Sequence, residues 1–231
     1  MLARLRPRHE LLHRVLPLLV ISLVLTVCTA HAADPAAITF TLDFPTSDPE
    51  RYAISVTADG HGTYECSAKV SDESEERETY RSEFEISPAG RARIFDLAAQ
   101  AHFFSGKIDS GNRKLAFTGS KTLTYKDAQR SASANYNFSN LPPIQQLTAF
   151  FQSLSATLEY GRHLAYSHRY QKLALDDELK RMEEQARNNE LGELQAVQPV
   201  LQQILDDASV LNVVRARAER LLAMSKPAAG H

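Results

Sequence analysis

Hydrophobic and polar residues alternate through the first half of the chain. Between residues 38 and 138, apolar side chains recur at every second position in short runs, the pattern of strands with one buried face. Turn-forming residues separate the runs, so the pattern predicts an antiparallel sheet of about six strands, the second and third joined by a hairpin at Asp59–Gly62. The runs begin near Ile38, Tyr52, Thr63, Tyr80, Thr118 and Arg130.

One segment within this half has a helical period. Ser87 followed by Pro88 is typical of a helix N-terminus, because the serine side chain accepts a backbone hydrogen bond and proline fits the first turn. Ile94 and Leu97 then recur at helical spacing. A helix over residues 88–101 is therefore expected to cover one face of the sheet.

The hydrophobic period lengthens to 3.6 residues after the Asn140–Pro143 segment. Apolar residues from Ile144 onward step by three or four, which predicts a long helix past Gly161, with a restart at Asp176–Asp177 as an alternative.

A pair of shorter helices is expected to follow the long one. Pro199 would open the first of them, and Asp207 or Ser209 would cap the second. Their apolar stripe is expected either to be buried within the chain or to form a homodimer through the C-terminal helices.

These patterns predict an α+β fold: an antiparallel sheet of about six strands with one covering helix, followed by an all-helical C-terminal region. The expected domains are a cleavable signal peptide over residues 1–32, a sheet-and-helix domain over 33–141 and a helical region over 142–226. A short tail over 227–231 completes the chain.

The N-terminus has the three parts of an export signal. Four arginines precede the uncharged segment Leu16–Val27, and Ala30-His31-Ala32 places small residues where a signal peptidase cuts. The protein is therefore expected to be exported, and periplasmic or secreted after cleavage near Ala32.

Two alternatives would leave the protein on a membrane. The apolar segment Val15–Ala30 has 16 residues and would span a bilayer only poorly as an uncleaved anchor. Cys28 would accept a lipid only if its preceding residue were small, and Val27 is not. Membrane association is expected only if the segment is retained or Cys28 is lipidated.

Charge and cysteine content exclude two further classes of protein. The 231 residues carry a formal net charge of −2, and removal of residues 1–32, with four Arg and one Glu, would change it to −5. Such a chain lacks the clustered cations that neutralise phosphates, so nucleic acid is not an expected partner. Cys66 would then be the single cysteine, without a disulfide, and is interpreted as a small buried strand residue.

The densest group of functional side chains lies at Glu159–Tyr170, which contains two histidines, two arginines and three tyrosines. One interpretation is a packed helix whose polar groups face water. The other is a site for an anion or a partner, built from Arg162, His163, Tyr166 and Arg169, because guanidinium groups and phenols suit carboxylate or sugar contacts.

The sequence contains no metal-binding or catalytic motif. Glu159 and His163 have a spacing that suits a shared ion, but His163 and His168 point about 140° apart on a helix. Nucleotide fingerprints and nucleophile elbows are not found, so no metal, cofactor or catalytic residue is predicted. The acidic run Asp72–Glu78 lacks calcium-loop spacing and is expected to be a solvated loop.

These observations favour an exported, non-enzymatic protein that binds a protein or envelope component. One alternative is an exported hydrolase whose acid and base groups, His102, Asp109, Glu159 and His163, come from distant positions. Another is an inhibitor of an exported hydrolase, which would present a rigid loop at Asp59–Gly62 or Lys107–Lys114.

Overall fold

The computed structural model describes residues 35–69 and 77–226. The predicted leader with Cys28, most of the acidic run at 72–78 and the tail at 227–231 lie outside the described residues. The division of the chain into domains stays a prediction.

Six strands of the described chain form one antiparallel sheet in the order β4-β3-β2-β1-β5-β6. The predicted α+β class is thereby confirmed. The strands are β1 Ala37–Asp43, β2 Arg51–Thr57, β3 His61–Lys69, β4 Arg77–Glu85, β5 Ser120–Lys126 and β6 Ser131–Tyr136. The β2–β3 turn is shorter than expected, because His61 and Gly62 already pair within the sheet.

The register of the sheet separates an apolar face from a hydroxyl-bearing one. At the centre, Phe40 lies between Ile54 of β2 and Leu123 of β5, and all three side chains are fully buried. On the opposite face Thr39 donates a hydrogen bond of 3.0 Å to Ser55. The alternation in sequence thus corresponds to one face packed on the core and one face toward solvent, as is usual for antiparallel sheets.

Five α-helices accompany the sheet in the described residues, most of them after it. They are α1 Pro88–Gln100, α2 Pro142–Tyr170, α3 Leu175–Arg187, α4 Gln198–Asp206 and α5 Asn212–Met224. None of the helices in the described part of the chain is both long enough and apolar enough to cross a bilayer.

The N-terminus of α1 is capped as the sequence predicts and is also tied to the helical region. The Ser87 hydroxyl oxygen accepts the backbone N–H of Gly90 at 2.9 Å. The Ser87 N–H and hydroxyl both donate to the Glu193 carboxylate, at 2.8 and 3.0 Å. A carboxylate at a helix N-terminus is favoured by the helix dipole, so Glu193 stabilises α1 from more than 100 residues away.

Helix α2 belongs to both halves of the molecule. The Phe151 ring in its N-terminal half stacks on Phe40, with centroids 5.3 Å apart and planes 2° from parallel. Its C-terminal half places Leu164 in a second apolar core, formed with the later helices. The sheet is therefore covered by α1 and by half of α2.

The long helix is interrupted earlier than the main prediction placed it. It ends at Tyr170, a 3-10 turn at Lys172–Ala174 follows, and α3 begins at Leu175. The alternative of a restart near Asp176–Asp177 is thus the better description. Because α3 folds back, its residues pack beside α2 rather than beyond it.

The expected cap of the last helix was wrong. Leu211 precedes α5, and no side chain caps that helix. The Asp207 carboxylate instead contacts His168 at 2.9 Å and accepts a hydrogen bond from Lys172 at 2.6 Å. His168 near the end of α2 and Lys172 in the turn that follows thus hold the α4–α5 connection.

The apolar stripe of the helical region is buried within the described chain. The residues of this second core are Leu164, Leu175, Leu179, Met182, Ala186, Leu191, Val197, Leu201, Ile204, Val210, Val214, Ala218 and Leu221. A homodimer through the C-terminal helices stays a prediction, and this buried stripe does not supply its interface.

One carboxylate joins α3 and α5. Glu183 is 3% exposed and accepts hydrogen bonds from Arg220 at 2.7 and 3.1 Å, from Arg217 at 3.3 Å and from Arg187 at 2.5 Å. The hydrogen bonds from Arg220 hold the pKa of this carboxyl below its ordinary value, against the opposing effect of burial.

Loss of the aromatic stack should destabilise the whole fold. Phe151→Ala removes a fully buried ring from the contact between α2 and the sheet, and we expect a loss of about 3–5 kcal/mol. Urea unfolding followed by circular dichroism measures it. Leu173→Ala, at a side chain that is 86% exposed, should change stability by less than about 0.5 kcal/mol. Equal effects of the two substitutions would contradict this packing.

Stability should depend on pH through Glu183. Because its pKa is lower in the folded chain than in the unfolded one, its contribution is present above the ordinary value of about 4.3 and is lost as the pH falls through the folded value. Wild-type stability should therefore decline more steeply below about pH 4.3 than that of Glu183→Gln, as measured by urea midpoints. The exposed neighbour Glu184, changed to Gln, serves as control. Parallel curves for wild type and Glu183→Gln would exclude this role.

Candidate functional site

A cleft of about 550 Å³ lies where the sheet, α2 and α3 meet. Clefts at the junction of structural units are common ligand sites, and this one is lined by polar and aromatic side chains as well as apolar ones. Its lining residues are Leu42, Ser47, Asp48, Pro49, Tyr52, Tyr64, Gln152, Ser155, Ala156, Glu159, Tyr160, His163, Glu178, Arg181 and Gln185.

Glu159 is the centre of a hydrogen-bonded cluster at one side of this cleft. One carboxylate oxygen accepts from the hydroxyl of Tyr64 and from the thiol of Cys66, whose sulfur is 3.5 Å away. The other oxygen accepts from Nε and Nη2 of Arg162, at 3.0 and 2.8 Å. Both oxygens are thus occupied by donors from the same chain.

The spacing of residues along β3 and along α2 explains how this cluster forms. Tyr64 and Cys66 are two residues apart on β3 and so point to the same face of the sheet. Glu159 and Arg162 are three residues apart on α2 and so lie side by side on one helix face. The cluster forms because that helix face crosses that strand.

Burial keeps the donors of the cluster protonated. Burial raises the pKa of Cys66 to about 12, and it does the same for Tyr52 on the neighbouring strand. It raises the pKa of Tyr64 still more. For Arg162, burial opposes the charge, but the hydrogen bonds and charge of Glu159 outweigh it and raise the pKa. The cluster therefore contains one partly buried ion pair with two neutral donors.

His163 lies at the edge of the cluster. Its Nε2 is 3.0 Å from Nη2 of Arg162 and 3.8 Å from the Glu159 carboxylate. His102 and Asp109, the other residues of the hydrolase hypothesis, do not line the cleft. Asp109 accepts backbone N–H groups of Gly111 and Asn137 instead, at 2.6 and 2.9 Å. The structure brings together two of the four proposed acid and base residues.

Tyr166 and Arg169 lie further along α2, on an exposed surface that also includes Tyr170. The rings of Tyr166 and Tyr170 are 5.1 Å apart, and the Arg169 guanidinium lies 5.1 Å from the Tyr170 ring centre. These three residues form what is here called the tyrosine–arginine patch. The four predicted binding residues are thus divided: Arg162 and His163 lie at the cleft, and Tyr166 and Arg169 lie in the patch.

The cleft and the patch lie on one stripe of α2. Steps of three and four residues lead from Glu159 through Arg162 and Tyr166 to Arg169 and keep these side chains on one helix face. Leu173, just past the helix end, is 86% exposed. The stripe thus passes from a partly buried ion pair to open surface within three turns.

Some polar groups of the cleft remain open to a ligand. The side-chain amides of Gln152 and Gln185 and the Tyr160 hydroxyl form no hydrogen bond to another residue in the described ranges 35–69 and 77–226. Amides offer both donors and acceptors. Sequence reasoning missed Gln152, Gln185 and the β1–β2 loop residue Asp48, because the cleft forms only where α3 and that loop pack beside α2.

The described residues contain no group of three or more His, Cys, Asp or Glu side chains placed to hold a metal ion. A comparison of the sequence with protein-family models and with curated proteins gives no match. A fully hydrogen-bonded carboxylate beside open amides and an exposed aromatic surface suits binding better than proton transfer.

The thiol of Cys66 should be unreactive in the folded protein. With a pKa of about 12, only about one ten-thousandth of the thiol is ionised at pH 8, and its side chain is buried. In a Cys28→Ser chain we expect no reaction with a disulfide reagent at pH 8 until urea unfolds the protein.

The matched control for this measurement adds Ser133→Cys, at an exposed position of β6, to the same chain. One thiol per chain should then react at once without denaturant. If Cys66 reacts as fast as the added thiol, the cluster around Glu159 does not shield the Cys66 thiol from the reagent.

Proposed function

We propose that the protein is exported, is not an enzyme, and binds an extended segment of a partner polypeptide along α2, from the cleft to the tyrosine–arginine patch. The observation that carries this proposal is the exposed end of the stripe. Tyr170 is 61% exposed and Leu173 is 86% exposed, beside Tyr166 and Arg169.

The chemistry of the patch favours a protein partner. Tyrosine and arginine are the residue types enriched at the energetic centres of protein interfaces. The contact with Tyr170 orients the guanidinium of Arg169 and leaves its donors free to bind a carboxylate. An exposed leucine next to them adds apolar area that a partner can bury.

The length of the stripe favours an extended partner. Helix α2 rises about 27 Å between Gln152, in the cleft, and Tyr170, in the patch. A polypeptide in extended conformation covers that distance with about eight residues. The open amides of Gln152 and Gln185 would meet its backbone groups.

The Glu159 cluster supports a binding role over a hydrolase role. A general acid or base needs a proton or a lone pair directed at the substrate. Both Glu159 oxygens accept from Tyr64, Cys66 and Arg162, so neither is left for a substrate. Export is supported by the arginines, the apolar core and the small residues of the N-terminal segment.

Site-specific photocrosslinking tests the proposal. A photoreactive phenylalanine at position 170 should yield an adduct with one partner protein in the cells that produce the chain. The yield of this adduct should fall at least tenfold when Arg169→Glu is introduced as well. The substitution replaces the guanidinium that would bind a carboxylate of the partner with a repelling charge. The same photoreactive residue at position 133, on the hydroxyl-bearing face of the sheet, is the control.

Two results would refute this binding surface. One is an adduct pattern that is the same from positions 170 and 133. The other is an adduct at position 170 that Arg169→Glu does not change. The intact mass of the protein isolated from the exported fraction also shows whether residues 1–32 have been removed.

A further inference from the structure

A second exposed surface lies on the loop between α1 and β5. Residues 105–119 connect the 3-10 turn His102–Phe104 to β5, and every residue from Gly111 to Thr118 is exposed. Phe117 in this loop is 58% exposed. Exposed aromatic side chains of this kind mark interaction surfaces when they are clustered.

Hydrogen bonds of one asparagine tie the loop that carries Phe117 to the segment after β6. The Asn137 side chain donates to the Ala116 carbonyl and accepts the Thr118 N–H, both at 3.0 Å. This joins the loop to the chain after β6, where Phe138 and Leu141 are also exposed. The exposed large apolar side chains of these two segments are Leu115 and Phe117 on the loop and Phe138 and Leu141 after β6.

Hydrogen bonds of Asp109 and Lys121 hold the loop in place. The Asp109 carboxylate accepts the backbone N–H groups of Gly111 and Asn137. The buried ammonium of Lys121 donates to the carbonyls of Thr118 and Asn137, at 3.0 and 3.1 Å. The apolar side chains are therefore presented by a fixed loop, and binding need not order it first.

The exposed charged side chains of residues 105–119 are cationic. Lys107, Arg113 and Lys114 are exposed, and none of them forms an ion pair with another residue of the described chain. The acidic residue of the same loop, Asp109, is engaged by backbone N–H groups. Three cations thus outnumber two carboxylates here, Asp109 and the exposed Asp43, which pairs with Ser120 at the end of the loop, in a chain whose formal net charge is −2.

We propose that this surface binds an anionic lipid bilayer. The basic–apolar patch consists of Lys107, Arg113, Lys114, Leu115, Phe117, Phe138 and Leu141. Its leucine and phenylalanine side chains enter the boundary between headgroups and acyl chains, while the cations contact lipid phosphates. Cations beside exposed leucine and phenylalanine side chains are complementary to an anionic bilayer, which offers phosphates and an apolar layer at one surface. The proposal does not depend on the binding role of α2.

An environment-sensitive fluorophore attached to the loop tests the proposal. The probe is placed through Phe117→Cys in a Cys28→Ser chain, and the chain without the added cysteine is the labelling blank. Vesicles of equal parts phosphatidylglycerol and phosphatidylcholine should shift its emission to the blue. Vesicles of phosphatidylcholine alone should not. A probe attached through Ser133→Cys should not respond to either.

Charge variants of this labelled chain measure the contribution of the cations. Arg113→Gln with Lys114→Gln should weaken partitioning into the anionic vesicles about 30-fold, since each cation near such a surface contributes roughly a fivefold gain. Lys180→Gln with Lys226→Gln removes the same charge elsewhere on the exposed surface and should change partitioning less than about twofold.

Several outcomes would overturn the proposal. These are a probe at position 117 that does not shift, that shifts equally with phosphatidylcholine, or that partitions into the anionic vesicles equally well when Arg113 and Lys114 are neutralised. A response at position 133 equal to that at 117 would assign binding to another part of the chain. Binding of polyglutamate without binding of anionic vesicles would assign the patch to an acidic protein.

Discussion

The structure depends on the packing of one long helix against the sheet. The stack of Phe151 on Phe40 places α2 across the apolar face of the strands. The same helix then leaves the sheet and contributes Leu164 to the core of the C-terminal helices. Because a helix is stiff over 29 residues, one contact sets the position of both cores. The cleft lies at the point where α2 passes from the first core to the second.

That junction explains the chemistry of the site. Charged side chains that are partly withdrawn from water where two cores meet need partners, since desolvating an unpaired charge is costly. Glu159 and Arg162 satisfy this requirement together, with Tyr64 and Cys66 as further donors. A similar requirement is met by Glu193, which binds Ser87 and links the helical region to α1. Both carboxylates hold distant segments together, and this role explains why neither is open to a substrate.

The two proposed binding surfaces lie in different halves of the molecule. The tyrosine–arginine patch lies at the end of α2, and the basic–apolar patch lies on the connection between α1 and β5. Each combines exposed apolar area with arginine or lysine, but Tyr170 and Arg169 favour a polypeptide, whereas the loop around Phe117 favours lipid phosphates. An exported protein with both properties would meet its partner at a membrane surface.

Sequence alone determined the features that depend on near neighbours. Alternation gave the strands and their buried faces, the Ser87–Pro88 pair marked the start of α1, and the change of period marked α2. Those patterns are local because pleat, cap and helix period act over a few residues. Which residues meet across the fold was decided by tertiary structure. The approach of Tyr64 to Glu159, separated by 95 positions, depends on strand register and on the crossing of α2, and no local pattern encodes either.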